Sequence, residues 1–382
     1  MSAPILRNDS PIFTKLKYYL YIGLINSAVL LCACFIIEVI FGSIFWGTNY
    51  GLLVVDRNVS RKFDTTDRYV GGGIIEYKRD ENGLRGDYFD PSKIDILTIG
   101  GSTTNEILID EGKTWSDQLA NYFLRAGRKI VVVNAGVDGQ STVGHLKVFE
   151  LWFPKIHNFR PRYVLAYIGI NDLSHTVNNL PPNKWEVMTE QHRIIKQYLK
   201  NNSAIYGLYR AIKGMVKARN AMLVHSTRNE IFQWVEPVQQ SDLLAVGERL
   251  APYLDAYEER IRVLMKRIRN FGAKPIIVTQ HTGHYRLDQG RVLGRVLNET
   301  GKDMLSGKTL EAGAVDIGPY EALMAHNQRA MDVCRDEGGI CIDVSQELLF
   351  TPDDFYDLLH TTPKGSEKIA KFLFEKLKWQ IE

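Results

Sequence analysis

The chain has 382 residues, 45% of them hydrophobic and 24% charged, and a formal net charge of +3 at pH 7. This composition excludes a disordered or fibrous chain, and so small and evenly spread a charge argues against a nucleic-acid-binding protein. The length allows one large core or two modest ones.

The first predicted element is one transmembrane helix over residues 18–46, which follows an N-terminal tail over residues 1–17. About 20 apolar residues cross the hydrocarbon core of a bilayer, and this stretch carries a single charge, on Glu38. We expect Glu38 to lie near the interface or to face a membrane partner, because a carboxylate is costly in lipid. We expect a cytoplasmic N-terminus and a globular part outside, in a bacterial periplasm or at the cell surface.

Residues 47–90 are polar and rich in turn residues, so we interpret them as a linker and lead-in. Residues 91–382 alternate between short β-branched runs and amphipathic segments. The predicted strands are 94–100, 129–134, 163–168, 275–280 and 339–343. The predicted helices are 114–127, 142–157, 252–271, 320–337 and 363–378. Such alternation predicts an α/β fold: a flavodoxin-like three-layer α/β/α arrangement around a five-stranded parallel sheet.

Two segments interrupt this alternation. A helical insertion covers about residues 173–252, with helix-forming stretches near 191–199 and 204–218, and a charged loop covers 281–318. The basic residues of the insertion are interpreted as a solvated face, with contacts to anionic glycan or lipid headgroups as the alternative. They are Arg193, Lys196, Lys200, Arg210, Lys213, Lys217 and Arg219.

The chain has four cysteines, and their spacing does not resemble a zinc site. Cys32 and Cys34 lie inside the apolar N-terminal stretch. Cys334 and Cys341 flank a Gly-Gly turn. We expect this second pair to be buried free thiols, with a disulfide as the alternative in an oxidising compartment.

The first predicted strand stops on two glycines and then presents Ser102, at the end of the strand where open α/β sheets build their sites. The next two strands end in Asn134-Ala135-Gly136 and Gly169-Ile170-Asn171-Asp172. Because carboxyl ends of parallel strands share one edge, these polar clusters can converge. The alternative for Ser102 is a helix cap.

A nucleophilic serine needs a base and donors aimed at the developing oxyanion. The N–H groups of Ser102 and Gly136 and the amide of Asn171 are donors of the required type. His360 is the candidate base, and Asp357 lies three residues upstream to orient it. Candidate pocket residues are Asp172, His175 and His281, together with His284. For each histidine the alternative is an ordinary loop residue, and for Asp357 a helix cap.

Four motif blocks in this order give the chain a clear resemblance to the SGNH (GDSL-like) hydrolase superfamily. The blocks are Gly-Gly-Ser-Thr-Thr around Ser102, Gly136, Gly169-Ile170-Asn171-Asp172, and Asp357-Leu358-Leu359-His360. The resemblance implies that Ser102 is the nucleophile, that Gly136 and Asn171 are oxyanion donors, and that Asp357 and His360 complete a triad. The chain departs from the family pattern at Gly101, where family members have aspartate.

The resemblance implies a membrane-anchored serine esterase that removes acyl groups, such as acetyl, from an envelope glycan or lipid. No cofactor and no metal are expected. The partners would be the acylated substrate and the membrane, through residues 18–46. One alternative is an O-acyltransferase that moves the acyl group onto a polysaccharide with the same triad. Another is a non-catalytic glycan-binding scaffold.

Overall fold

The computed structural model describes residues 11–47, 50–51, 53–173, 191–209, 212–213, 233–236, 243–297, 300–302 and 309–382. The chain divides into two compact units. The first contains Met1–Leu52 and Gln191–Leu223, and the second contains Leu53–Glu190 and Val224–Glu382.

The helices of the described residues are numbered in chain order. They are α1 Pro11–Phe41, α2 Ser102–Asn105, α3 Trp115–Arg125, α4 Thr142–Leu151, α5 Gln191–Asn202, α6 Leu243–Asn270, α7 Gly318–Asp336, α8 Val344–Glu347 and α9 Pro363–Leu377. The strands are β1 Val59–Asp64, β2 Ile74–Arg79, β3 Ile96–Gly100, β4 Val132–Asn134, β5 Tyr163–Tyr167, β6 Trp234–Val235, β7 Lys274–Val278, β8 Tyr285–Asp288, β9 Arg291–Val296, β10 Gly301–Lys302, β11 Thr309–Leu310, β12 Val315–Asp316 and β13 Ile340–Ile342.

The core of the second unit is a five-stranded parallel sheet in the order β13-β7-β5-β3-β4. Taken in chain order, its strands follow the flavodoxin-like sequence 2-1-3-4-5, which confirms the predicted fold. Every residue of β3 and of β5 is buried. That burial explains why both strands are continuous apolar runs without polar alternation.

Helices cover both faces of the sheet. Alternate strand residues such as Ile96, Leu165 and Val278 pack with the apolar faces of α3 and α9. The opposite face is contacted by α6 and α7, which also pack on one another. Because side chains alternate across a strand, each apolar run supplies both interfaces.

The segment predicted as a linker and lead-in contains a β-hairpin. β1 and β2 pair antiparallel from Val59↔Arg79 to Asp64↔Ile74. Tyr77, Arg79 and Arg85 are buried, at 4% exposure or less. The linker interpretation therefore needs correcting from Leu53 onward. The polar composition predicted an exposed linker, but the two arginines are buried and their guanidinium groups donate hydrogen bonds.

Two further boundaries differ from the prediction. α6 begins at Leu243 and carries Pro252 inside it, whereas the predicted helix began at that proline. A proline costs one internal hydrogen bond, and this helix continues on both sides of it. The predicted loop over 281–318 holds β8, β9 and β12, which form an antiparallel sheet with β6.

In the first unit, α1 is exposed along nearly its whole length. The segment Thr14–Phe41 of this helix is long and apolar enough to cross a membrane. The helix ends earlier than the predicted residue 46, because the chain turns at Gly42 and the Ser43 N–H donates to the carbonyl of Asn202 at 2.6 Å. Glu38 is 9% exposed and finds its partner within the same chain, at Ser203.

A disulfide joins Cys334 in α7 to Cys341 in β13, with a Cα–Cα distance of 5.8 Å. The expectation of two free thiols is therefore wrong. The turn between them contains Gly338 at φ +65°, a backbone conformation that glycine adopts without steric cost and that returns the chain beside α7. The free cysteines of the described residues are Cys32 and Cys34.

This disulfide gives a first prediction. We expect the oxidised protein, unfolded in denaturant without reductant, to react with two equivalents of maleimide, at Cys32 and Cys34. Cys341→Ser should lower the free energy of unfolding by about 2 to 3 kcal/mol, the loop-closure value for so short a ring. Reductant should remove the difference between the two proteins. Four reactive thiols in the oxidised wild type would contradict the bridge.

Candidate functional site

Ser102 is the first residue of α2, directly after β3 and its two glycines. A Cβ on Gly101 would lie 1.9 Å from Asn171 Nδ2, and one on Gly100 would lie 2.7 Å from the Tyr167 carbonyl. Both positions therefore require glycine for the close approach of the turn after β5.

A tight turn before α9 carries the acid and the imidazole. Asp357 Oδ1 accepts hydrogen bonds from the backbone N–H groups of Leu359 and His360, each at 2.7 Å. The Tyr356 N–H donates to the His360 carbonyl at 3.0 Å, which closes the turn. An aspartate that bonds its own backbone two and three residues ahead fixes this conformation locally. Local hydrogen bonds thus hold Asp357 and His360 together in this turn.

The structure brings the three predicted residues into one hydrogen-bonded relay. His360 Nε2 lies 2.8 Å from Ser102 Oγ, and His360 Nδ1 lies 2.8 Å from Asp357 Oδ2. The ring of Tyr356 stacks on the imidazole with a centroid distance of 5.6 Å and an interplanar angle of 11°. Hydroxyl, imidazole and carboxylate therefore stand in the order that a serine nucleophile needs.

The electrostatics of the pair match this arrangement. Burial alone would lower the pKa of His360, but the hydrogen bond and charge of Asp357 outweigh burial, and the pKa is raised. Burial would likewise raise the pKa of Asp357, yet its bonds with His360 and the Leu359 N–H hold that pKa below its ordinary value. The pair thus favours a carboxylate beside an imidazole that readily accepts a proton.

Asn171 is placed at the same edge by hydrogen bonds that cross the sheet. Its amide Nδ2 donates to the Gln140 carbonyl at 3.1 Å, directly over Gly101. The preceding Ile170 N–H donates to Gln280 Oε1 at 2.7 Å. The amide is therefore held beside Ser102, where the sequence predicted an oxyanion donor.

The structure corrects the role of Gly136. Its N–H donates to Asn134 Oδ1 at 2.8 Å and is therefore directed at that side chain. A Cβ there would lie 2.5 Å from the Asn105 backbone nitrogen, so this glycine serves close packing under α2. The prediction of Gly136 as an oxyanion donor fails for these two reasons.

Gly139, three residues later, borders the site instead. It has φ +70°, and within the described part of the chain its N–H, like that of Ser102, donates no hydrogen bond. Its neighbours reach the site on both sides: the Gln140 carbonyl accepts from Asn171, and the charge of Asp138 acts on His360. The second glycine of Asn-Ala-Gly-Val-Asp-Gly is the signal that sequence reasoning passed over.

Two of the candidate pocket residues, Asp172 and His281, are buried among other side chains. Asp172 is 2% exposed and accepts hydrogen bonds from Thr142 at the start of α4 and from Arg260 in α6. His281 is 3% exposed, and its ring packs 4.1 Å from that of Tyr285.

Burial lowers the pKa of His281 to about 3, and that of His284, which is also largely enclosed, to about 4. Both imidazoles are therefore neutral packing groups. His175 lies outside the described residues.

Sequence reasoning missed Gln280, a buried side chain beyond β7. Its Nε2 donates to Thr103 Oγ1 at 2.8 Å and to the Tyr167 carbonyl at 3.2 Å, while its Oε1 accepts from Ile170. One amide thus connects the ends of β3, β5 and β7. A polar residue closing an apolar strand was the available signal.

Glu106 is the second missed residue and is 4% exposed at the end of α2, where its φ is +51°. Its carboxylate accepts from the Trp115 N–H at 2.7 Å, from Thr361 Oγ1 at 3.0 Å and from Ser366. Thr361 follows His360 directly. One side chain therefore connects the nucleophile helix to the turn that carries the imidazole.

Two buried arginines from an earlier part of the chain contact the C-terminal end of α2. Arg79 donates to Asn105 Oδ1 at 2.6 Å, and Arg85 donates to the carbonyls of Asn105 and Glu106 at 2.6 and 2.9 Å. Carbonyls at a helix end lack intrahelical partners, so guanidinium groups are suited to them. The hairpin segment is thereby part of the framework of the site.

No group of three His, Cys, Asp or Glu side chains that could hold a metal ion occurs among the described residues.

A family model described as GDSL-like Lipase/Acylhydrolase matches residues 96–373, a range that includes Ser102, Asp357 and His360. Comparison with curated protein sequences finds no relative.

Among solved structures, a catalytic mutant of an acetylxylan esterase from Geobacillus stearothermophilus is 11% identical, with 75% of this chain and 96% of that chain covered and a TM-score of 0.40. An α/β hydrolase from the metagenome of Lake Arreo is 16% identical, with 77% and 98% covered and a TM-score of 0.39. The psychrotrophic esterase EstA from Pseudoalteromonas sp. is 10% identical, with 75% and 97% covered and a TM-score of 0.36.

The buried carboxylate gives a second prediction. Burial raises the pKa of Glu106 from 4.5 to about 7, so the folded protein binds more protons than the unfolded chain between these values. The stabilisation that Glu106 contributes is fully present below its pKa in the unfolded chain. It is lost as pH rises through its pKa in the folded protein. Glu106→Gln cannot titrate, so its melting temperature should rise relative to wild type from about pH 5 to about pH 8.

The control for this measurement is Glu375→Gln, a change of the same chemistry at an exposed helix position. Its melting temperature should follow that of the wild type at every pH, because exposed ion pairs contribute little. Parallel curves for Glu106→Gln and wild type would contradict the prediction.

Proposed function

Because the chain belongs to the GDSL-like lipase and acylhydrolase family and is a hydrolase of ester bonds, we propose that it is a membrane-anchored serine esterase. Its proposed substrate is an acylated, such as acetylated, envelope glycan or lipid. The observation that carries the proposal is the relay from Ser102 Oγ through His360 to Asp357, with 2.8 Å at each step.

In the proposed reaction, Ser102 Oγ attacks the ester carbonyl while His360 Nε2 takes the hydroxyl proton. The N–H groups of Ser102 and Gly139 and the amide of Asn171 donate to the oxyanion. His360 then passes the proton to the leaving alcohol, which leaves an acyl-serine. Water attacks this ester with His360 again as base, and the acid is released as Ser102 recovers its proton.

The proposed location rests on two independent features. α1 has the length and composition of a membrane-spanning helix. The Cys334–Cys341 disulfide belongs to the unit that carries the relay, and disulfides persist in oxidising compartments outside the cytosol. Together they support a cytoplasmic N-terminus and an esterase unit outside. An enzyme tethered there meets acylated envelope glycans and lipids first.

The third prediction concerns the nucleophile. Ser102→Ala should abolish hydrolysis of an acetyl ester and labelling by a serine-reactive phosphonate, because Ser102 Oγ forms the proposed acyl intermediate. Ser92→Ala, at an exposed serine outside the site, is the matched control and should keep both. Retained turnover in Ser102→Ala would contradict the proposed mechanism, whereas a wild type that neither hydrolyses the ester nor reacts with the phosphonate would favour the non-catalytic scaffold.

The fourth prediction concerns the pH dependence of the rate. His360 must be neutral to act as a base, and its pKa is raised above 6.5, so kcat/KM should rise with pH through a value above 6.5. Asp357→Asn removes the bond and charge that raise this pKa, so the acid limb should move to lower pH. The rate itself should fall on the order of ten-thousandfold.

Asp353→Asn is the matched control for this shift, since Asp353 lies four residues upstream with its side chain 82% exposed. Its profile should coincide with that of the wild type. An unchanged acid limb in Asp357→Asn would contradict the assigned pairing of Asp357 and His360.

The same acyl-serine can be attacked by water or by a sugar hydroxyl. Incubation with an acetyl ester, with and without a polysaccharide acceptor, separates the two outcomes. We expect acetate release without acceptor modification. Acetylated acceptor would instead identify an O-acyltransferase.

A further inference from the structure

The first unit carries a surface that the esterase relay does not use. We name it the insertion platform: α5 together with the described residues of the segment that follows it, 203–209 and 212–213. Its large apolar side chains are exposed to between 37% and 60%. They are Ile195, Leu199, Leu208, Tyr209 and Ile212.

The insertion platform is fastened to the end of α1 by the carboxylate of Glu38. The N–H groups of Ala204 and Ile205 donate to it at 2.9 and 3.1 Å, and the Ser203 hydroxyl donates to it as well. The Ser203 hydroxyl in turn accepts from the Tyr206 N–H at 2.9 Å. Glu38 therefore satisfies the unpaired donors at the start of the segment that follows α5, as an N-cap would.

Two further bonds fix α5 against the residues just beyond α1. The Ser43 N–H donates to the Asn202 carbonyl at 2.6 Å, and the Tyr198 hydroxyl donates to the Ile44 carbonyl at 2.6 Å. A Cβ on Gly47 would lie 2.1 Å from Asn202 Oδ1, so the backbone approach is close. The platform is thus anchored at several points within one turn of the end of the helix.

These bonds set the height of the insertion platform relative to a bilayer. With a rise of about 1.5 Å per residue, Glu38 lies about 5 Å from the last residue of α1 along the helix axis. If α1 spans the membrane, as proposed above, Glu38 and every group bonded to it lie at the interface. An interfacial depth of roughly 5–10 Å is where amphipathic helices bury their apolar side chains.

The chemistry of the platform fits this position. Ile195 and Leu199 are four residues apart in α5, so they share one helix face. Basic side chains lie among the apolar residues of the platform, at Lys196, Lys200 and Lys213. Apolar residues with nearby lysines suit a bilayer whose headgroups are anionic. An aqueous setting would leave the apolar side chains in water.

We propose that the insertion platform is a membrane-binding surface that lies in the interface of an anionic bilayer, held at that depth by Glu38. This inference rests on the proposed anchoring by α1. It explains a buried carboxylate near the end of an apolar helix without a second protein. It also assigns Lys196, Lys200 and Lys213 to lipid headgroups.

The test uses the full chain with Cys32→Ala and Cys34→Ala, reconstituted in vesicles of phosphatidylcholine and phosphatidylglycerol. A single environment-sensitive fluorophore is attached at Leu208→Cys, at Val29→Cys within α1, or at Leu124→Cys on α3. Leu208 and Leu124 are matched, since each is a leucine with 60% exposure. Emission is recorded with and without spin-labelled lipid, and each labelled protein must retain ester hydrolysis.

We expect the label at 208 to be blue-shifted and quenched by spin-labelled lipid, like that at 29, while the label at 124 stays unquenched. Replacing phosphatidylglycerol by phosphatidylcholine should reduce quenching at 208 and leave that at 29 unchanged. Quenching at 29 without quenching at 208 would overturn the platform but keep the anchor, and would indicate a protein partner. No quenching at either position would overturn the anchor itself.

Discussion

The site depends on one buried carboxylate that joins two distant parts of the chain. Ser102 and His360 approach to 2.8 Å although 258 residues separate them, and neither β3 nor the turn before α9 fixes that distance alone. Glu106 does so by accepting hydrogen bonds from Trp115, Thr361 and Ser366. Burying a carboxylate away from water costs free energy unless each of its lone pairs accepts a hydrogen bond. The positions of the donors around Glu106 therefore permit little variation.

A second constraint is the exclusion of side chains where strand ends crowd together. Gly101 leaves room for the Asn171 amide, and Gly136 leaves room for the backbone of α2. Gln280 then spans the ends of three strands with one amide group. These contacts hold the edge of the sheet in place, and preorganised donors are effective because they need no reorganisation during the reaction.

The two units use buried acids in the same way. Glu106 connects the nucleophile helix to the imidazole turn, and Glu38 connects the end of an apolar helix to the segment after α5. Each carboxylate accepts from backbone N–H groups and hydroxyls, so neither needs a buried cation in direct contact. An acidic residue in an apolar stretch is therefore informative about tertiary contacts, although its partner cannot be identified from local sequence.

Local sequence determined the features that depend on periodicity and short spacing: five short apolar strands, the apolar helix, Ser102 after its glycines, and the Asp357–His360 turn. Residues whose role is set by a distant partner were decided only by the tertiary structure. The Gly136 N–H donates to Asn134, so Gly139 is the proposed donor in its place, and Cys334 meets Cys341 because a turn returns the chain beside α7. The tertiary structure likewise decided the roles of Glu106, Glu38 and Arg85. A buried charged side chain is stable only where folding brings hydrogen-bonding partners to it.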